Sequence, residues 1–340
     1  MVIQQGKLPE DNLSVMPTPP PKSEDPETAP KRTEKLSEYD DVQAFMTEMV
    51  KKHKVDNDSL QKAFENTVFD YSVIELMDKP AEKRSWSYYH ERLVSKERVS
   101  GGVKYMKTHK TALDNSTAAY KVPQNIITAI IGIETTYGTV KLKRTAVQSL
   151  STFAFEYPRR ADYFRGELAS LFILAQKEEA DPLYYMGSYA GAVGIPQFMP
   201  SNILAYAVDG DGDKHVDIVS SHADAIASVA NYLSKHGWSQ GKSTVALVKV
   251  TKELPESAYN TNVCSVSQRK TVKEFKNMGI ELPSKYKDTE KGILAKLYED
   301  EDEDTFVPAI FFENACPINK YNRSLKYTAA ISLLAEEIAK

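Results

Sequence analysis

The stretch PQNIITAIIGIETTYG, residues 123–138, decides how this chain folds. Ile126, Ile127, Ile130 and Ile131 recur at helical spacing, and Pro123 suits a first helical position, so the pattern predicts a helix ending near Gly138. A helix this apolar belongs in an interior. Glu134 breaks the pattern. Ile130 and Ile131 lie three and four residues before it, which puts its carboxyl on the buried face. Desolvation there raises the pKa and keeps a carboxyl protonated near neutrality, as a general acid requires. The same position would equally suit a buried Glu that pairs with an Arg or caps a neighbouring helix.

Working outward, helical spacing continues on both sides. Val42, Phe45, Met46 and Met49 form one stripe, and Leu60, Phe64 and Val68 another. Further helices are expected near 86–93, 103–113, 161–178 and 223–236, the last closed by Gly237, and again over 325–339. Between 244 and 312 the texture changes. TVALVKV (244–250), ILAKLY (293–298) and FVPAIFF (306–312) read as strands, and the six acidic residues at 299–304 read as a solvated hairpin loop. Seven of the 17 prolines fall in the first 30 residues, so 1–37 reads as a disordered tether. The expected organisation is that tether, a helical domain at 38–119 joined by a C-terminal helix at 318–340, a core at 120–240 and a small β-rich module at 241–317.

Composition narrows the function. There are 43 basic and 47 acidic side chains, a net charge of −4, which gives no electrostatic reason to bind nucleic acid or anionic lipid. No apolar run is long enough to span a membrane, and the first residues do not read as a signal peptide. The two cysteines, Cys264 and Cys316, are too few for a disulfide framework or a zinc site, and whether they pair stays open.

Two loops stand out. Eleven of the 15 glycines lie between 101 and 237, concentrated in GSYAGAVGIPQFMPS at 187–201, a loop where backbone can approach a ligand. In DGDGDKH, Asp209, Asp211 and Asp213 occupy the first three ligand positions of an EF-hand loop, and His215 would supply a backbone carbonyl. The pattern then departs: Lys214 stands where a Gly usually makes the turn, and Ser220 where a bidentate Glu would sit. An acidic solvated turn is the alternative.

The segments IIGIETTYG, FEYPRRADYFRGEL, MGSYAGAVGIPQFMPS, YAVDGDGDKHVDI, DAIASVANYLSKHGW and KYNRSLKYTAAISLL together resemble the membrane-bound lytic transglycosylase B family, in that family's order. The resemblance implies a mainly α (α+β) protein: a lysozyme-like helical core, a flanking helical domain and a small β-rich module. It implies cleavage of peptidoglycan glycan strands between N-acetylmuramic acid and N-acetylglucosamine, without water, leaving a 1,6-anhydro sugar. A hydrolytic muramidase and a non-catalytic peptidoglycan-binding protein are the alternatives. By the resemblance Glu134 is both acid and base, and Ser188, Gln197, Phe198 and Met199 line the cleft. Tyr163 and Tyr232 meet the sugar rings, Tyr321, Asn322 and Tyr327 close the cleft, and Arg159 and Arg160 meet stem carboxylates. Asp224 is the implied late ligand of a structural Ca²⁺ or Na⁺. No catalytic cofactor is implied. The implied setting is a monomer in the periplasm, lipid-anchored to the outer membrane through a segment absent from this chain, with cell-wall synthesis enzymes as further partners. Glu156, Asp162 and Glu167 are expected to be surface or salt-bridged groups.

Overall fold

The computed structural model describes residues 31–78, 84–299 and 305–340. Glu34–Lys340 forms one compact unit, and residues 1–30, most of the expected tether, lie outside the described residues. The folded body begins before residue 38, where the tether was expected to end. Leu36 is fully buried, and its N–H donates to the Thr67 carbonyl at 2.9 Å.

The helices are α1 (Asp40–Glu48), α2 (Asn57–Glu65), α3 (Ser72–Met77), α4 (Trp86–Leu93), α5 (Lys96–Thr108), α6 (Lys110–Tyr120) and α7 (Gln124–Thr135). They continue with α8 (Ala146–Glu156), α9 (Ala161–Lys177), α10 (Pro200–Tyr206), α11 (His222–Lys235), α12 (Val272–Asn277), α13 (Ala315–Tyr321) and α14 (Leu325–Ile338). No helix among the described residues is long and apolar enough to cross a membrane.

Helix α7 runs through the centre, with every residue from Ile126 to Gly132 buried. Its isoleucines meet α5, α11 and α14, and one apolar cluster runs from Leu36 to Ile338. That cluster crosses the expected boundary at 119/120, so the flanking helices and the central ones share a core. The single helix expected over 103–113 is broken at His109, whose ring stacks on His222 at 4.4 Å and lies 4.3 Å from Tyr105.

The strands are β1 (Arg144–Thr145), β2 (Met186–Gly187), β3 (Val245–Leu247), β4 (Lys249–Val250), β5 (Lys270–Thr271), β6 (Ile280–Glu281), β7 (Lys291–Tyr298) and β8 (Phe306–Phe312). Strands β3, β8, β7 and β5 form an antiparallel sheet in that order. The register pairs Tyr298 with Phe306, so the acidic run does close a hairpin, although 300–304 lie outside the described residues. One face of the sheet packs with Ala329 and Ala330 of α14, and the other covers Val272, Phe275 and Tyr286. Cys264 and Cys316 are joined in a disulfide, which ties the loop before β5 to the first turn of α13. Asn314, fully buried, adds a second tie: its amide donates to the Ser239 and Lys242 carbonyls and accepts from the Ser239 N–H. Helix α13 is therefore held at its base before it delivers Tyr321 toward α7.

Candidate active site

Glu134 sits in the last turn of α7, one residue before the C-terminal Thr135. The helix stops because Thr136, Tyr137 and Gly138 all adopt left-handed backbone, with φ of 50°, 62° and 76°. That conformation is costly for a β-branched residue and is the kind of strain that gathers at functional sites. Tyr137 is locked behind the turn by its hydroxyl, which donates to the Arg98 carbonyl at 2.6 Å.

The Gly-rich loop is bolted to this helix end. The Thr135 hydroxyl, buried, donates to the Ile195 carbonyl at 2.8 Å and accepts from the Gly138 N–H. Within the loop, Val193 and Phe198 exchange backbone hydrogen bonds, and Ile195 donates to the Ile218 carbonyl. Gly194 is obligatory: φ is +68°, and a Cβ there would lie 2.3 Å from the Ile218 oxygen. The loop is thus clamped between α7 and the chain that follows the Asp-rich turn.

Glu134 itself is half-buried, and the Tyr327 hydroxyl of α14 donates to its Oε1 at 2.5 Å. Burial pushes the carboxyl up to about 7, against the opposing pull of that hydrogen bond. Among the described residues Tyr327 is the one hydrogen-bond partner of the Glu134 carboxyl. Tyr321 stands beside it and donates to the Pro196 carbonyl of the Gly-rich loop. The phenols of Tyr321 and Tyr327 are both held neutral by burial and by the nearby Glu134 charge. The result is one desolvated acid, one donor to it, and walls from α13, α14 and the loop.

The remaining predicted residues divide. Phe198 and Tyr232 are buried, at 2% and 4% exposure, so they do not offer a surface to sugar. They pack behind Tyr321 with tilted and edge-on rings, centroids at 5.5 and 5.0 Å, and the Tyr232 hydroxyl donates to the Lys320 carbonyl. Ser188 is a turn residue here: its hydroxyl accepts from the Ala190 and Ala192 N–H groups. Gln197 adopts φ 52° and folds its amide back onto the Gly194 carbonyl. Met199 is half-buried at the start of α10, and Asn322 is exposed in the bend between α13 and α14. Arg159 is committed to Asp78 at 2.6 Å, while Arg160 lies over the Tyr163 and Phe164 rings.

Asp209, Asp211 and Asp213 each place a carboxylate oxygen within 4.8 Å of the others. Two oxygens sharing one Ca²⁺ at 2.3–2.6 Å lie at most about 5 Å apart, so the all-oxygen donor set fits a hard cation. His215 directs its N–H to Asp213, and Lys214 takes the left-handed turn normally given to Gly, with φ 78°. Asp224 lies outside the cluster formed by those three carboxylates. It is buried, and its two oxygens accept the N–H groups of Gly210 at 2.8 Å and Asp217 at 2.7 Å, bracing the loop from below.

Sequence reasoning missed Thr135 and Glu167. A Thr directly after an acid at a helix end was a usable signal. Glu167 was not legible, because its burial comes from the packing of α10 on α9.

The sequence profile of the transglycosylase SLT domain family matches residues 37–336. The membrane-bound lytic murein transglycosylase B of Escherichia coli strain K12 is 39% identical over 216 residues, covering 61% of this chain. The match spans 60% of that protein's length. Among solved structures, the soluble lytic transglycosylase SltB1 from Pseudomonas aeruginosa superposes with a TM-score of 0.78 at 36% identity, covering 88% of this chain and 98% of that one. The Escherichia coli lytic transglycosylase Slt35 in complex with calcium gives 0.76 at 31%, covering 91% and 96%.

Proposed function

Since the chain belongs to the transglycosylase SLT domain family, we propose that it cleaves the N-acetylmuramic acid to N-acetylglucosamine bond of peptidoglycan by transfer within the sugar rather than to water. The observation that carries this reading is the single carboxyl. Most glycosidases divide the work between two carboxyl groups. Here, among the described residues, no carboxylate is hydrogen-bonded to Glu134, and a pKa of about 7 leaves much of it protonated at neutral pH. Glu134 donates its proton to the glycosidic oxygen as the C1–O bond breaks. The resulting carboxylate takes the proton from the muramyl C6 hydroxyl as O6 bonds to C1, which closes the 1,6-anhydro ring and restores the acid. A nucleophile already attached to the reacting ring replaces a positioned water through its high effective concentration. The Tyr327 hydroxyl stabilises the carboxylate between the two transfers.

A Ca²⁺ ion would be held by Asp209, Asp211 and Asp213 in a structural role, since it takes no part in the sugar chemistry. Its loop leads to Ile218, whose carbonyl receives the Ile195 N–H, so the ion would stiffen the Gly-rich loop. The substrate places the protein in the cell envelope, and the Cys264–Cys316 disulfide supports an oxidising compartment.

Mass analysis of the products from purified peptidoglycan tests the reaction. We expect muropeptides ending in 1,6-anhydromuramic acid, one water lighter than reducing-end products. Dominant reducing ends would refute the proposal.

A further inference from the structure

Arg98 is a half-buried cation with no place in the reaction above. Among the described residues its side chain has one hydrogen-bond acceptor, and that is a backbone carbonyl: that of Gly132, two residues before Glu134 in α7. The same carbonyl receives the Thr136 N–H at 3.1 Å, so it belongs to the end of the helix, where partial negative charge favours a cation. The Arg98 carbonyl in turn accepts the Tyr137 hydroxyl at 2.6 Å, three residues after Glu134. Arg98 is itself fixed at the start of α5, because the Ser95 hydroxyl caps that helix by accepting the Arg98 N–H at 3.2 Å. The Tyr137 ring fills the space between the two helices: a Cβ at Gly101 of α5 or at Gly132 of α7 would lie 2.7 or 2.6 Å from it. One residue thus holds the chain on both sides of Glu134, with its side chain before the acid and its backbone after it.

We propose that Arg98 is a positioning residue for Glu134, clamping the last turn of α7 together with Tyr137 so that the carboxyl stays in its desolvated place within reach of Tyr327. The proposal rests on Glu134 as the acid of the reading above and adds what holds it there. The need for a clamp lies in the backbone. Thr136 and Tyr137 stand at φ 50° and 62°. A left-handed residue other than glycine costs on the order of 1–3 kcal/mol, so such a turn persists only where its surroundings over-determine it. Released from α5, the turn relaxes, the end of α7 frays and Glu134 meets water. A carboxyl that gains water loses the desolvation that kept it protonated, and it gives up its proton at lower pH. Loss of the Arg98 charge alone would act the other way, since removing a cation makes a nearby carboxyl hold its proton longer. The sign of the shift therefore separates a clamp from simple electrostatics.

The test uses Arg98→Met and Tyr137→Phe in the full chain. Methionine fills much of the space of the arginine stem and has no N–H to donate; phenylalanine keeps the ring and lacks the hydroxyl. Each variant therefore breaks one half of the clamp. The pH dependence of kcat and KM on purified peptidoglycan is read at a temperature well below each variant's thermal midpoint. We expect kcat to fall about 10-fold in Arg98→Met and about 3-fold in Tyr137→Phe at unchanged KM, and the falling alkaline limb of kcat to move to lower pH in both, by up to about one unit. A limb that stays at the parent's pH or moves upward would overturn the proposal, because a merely structural role lowers the thermal midpoint without changing the surroundings of the acid. If Arg98→Met fails to fold, Tyr137→Phe decides by the same readout. A parent profile with no falling limb would refute the acid reading and the proposal with it, whereas a parent limb that both variants leave in place refutes the positioning role alone.

Discussion

Replacing Glu134 with Gln should stabilise the protein at neutral and alkaline pH while abolishing cleavage. Burial raises this carboxyl from 4.5 to about 7 in the folded chain. Below its unfolded pKa both states are protonated and the position costs nothing. Between the two values the unfolded chain gives up the proton and the native one keeps it, so stability falls as pH rises, by up to about 1.4 kcal/mol per pH unit. Above about pH 7 the full cost is in place, roughly 3 kcal/mol. A Gln does not titrate, keeps the shape, and its carbonyl still accepts from Tyr327. With about 2.1 cal/mol/K of unfolding entropy per residue over about 300 residues, that cost corresponds to roughly 5 °C in Tm. Thermal unfolding of parent and variant at about pH 4 and about pH 8 checks this, with nearly equal Tm at the lower pH and a gap at the higher one. A gap of the same size at both pH values, or a less stable variant at the higher one, would refute the buried-acid account. Cleavage should fall at least ~10²-fold in the same variant.

Activity of the parent should decline as pH rises through about 7, because the reaction starts from the protonated acid. Tyr327→Phe removes a hydrogen bond that lowers the Glu134 pKa, so its declining limb should move to higher pH and its peak rate should drop. A pH–rate series on both proteins reads the two limbs, and an unmoved limb would sever Tyr327 from the acid. Thr135→Val strands the Ile195 carbonyl and the Gly138 N–H, at a cost of about 1–3 kcal/mol, and should reduce kcat by freeing the loop. Denaturant midpoints and single-turnover rates test the two halves of that statement. Millimolar Ca²⁺ should raise Tm through the Asp209, Asp211 and Asp213 cluster, and Asp211→Asn should abolish the response; a Tm unmoved by calcium would make the loop a turn alone.

The sequence by itself determined the elements whose signal is local. The isoleucines of 126–131 read as a buried helix, the apolar runs at 293–298 and 306–312 read as strands, and an acid on the apolar face of that helix reads as desolvated. Periodicity reports burial along one element, and a titratable residue within an apolar stripe announces its own environment. Tertiary structure decided what depends on two elements meeting. Tyr232 and Glu167 show the limit from opposite sides. The tyrosine, expected against sugar, is buried because α13 crosses over it and Tyr321 packs on its ring. The acid, expected at the surface or in a salt bridge, is buried because α10 packs on α9 and supplies Ser201. Asp224 likewise turns both oxygens to backbone amides of a loop that folds over it, at 14 and 7 residues' separation. The disulfide and the surroundings of Glu134 belong to the same class. Whether two sulfurs meet, or whether a second carboxylate approaches an acid, is set by how distant segments pack, and neither residue carries a local trace of its partner.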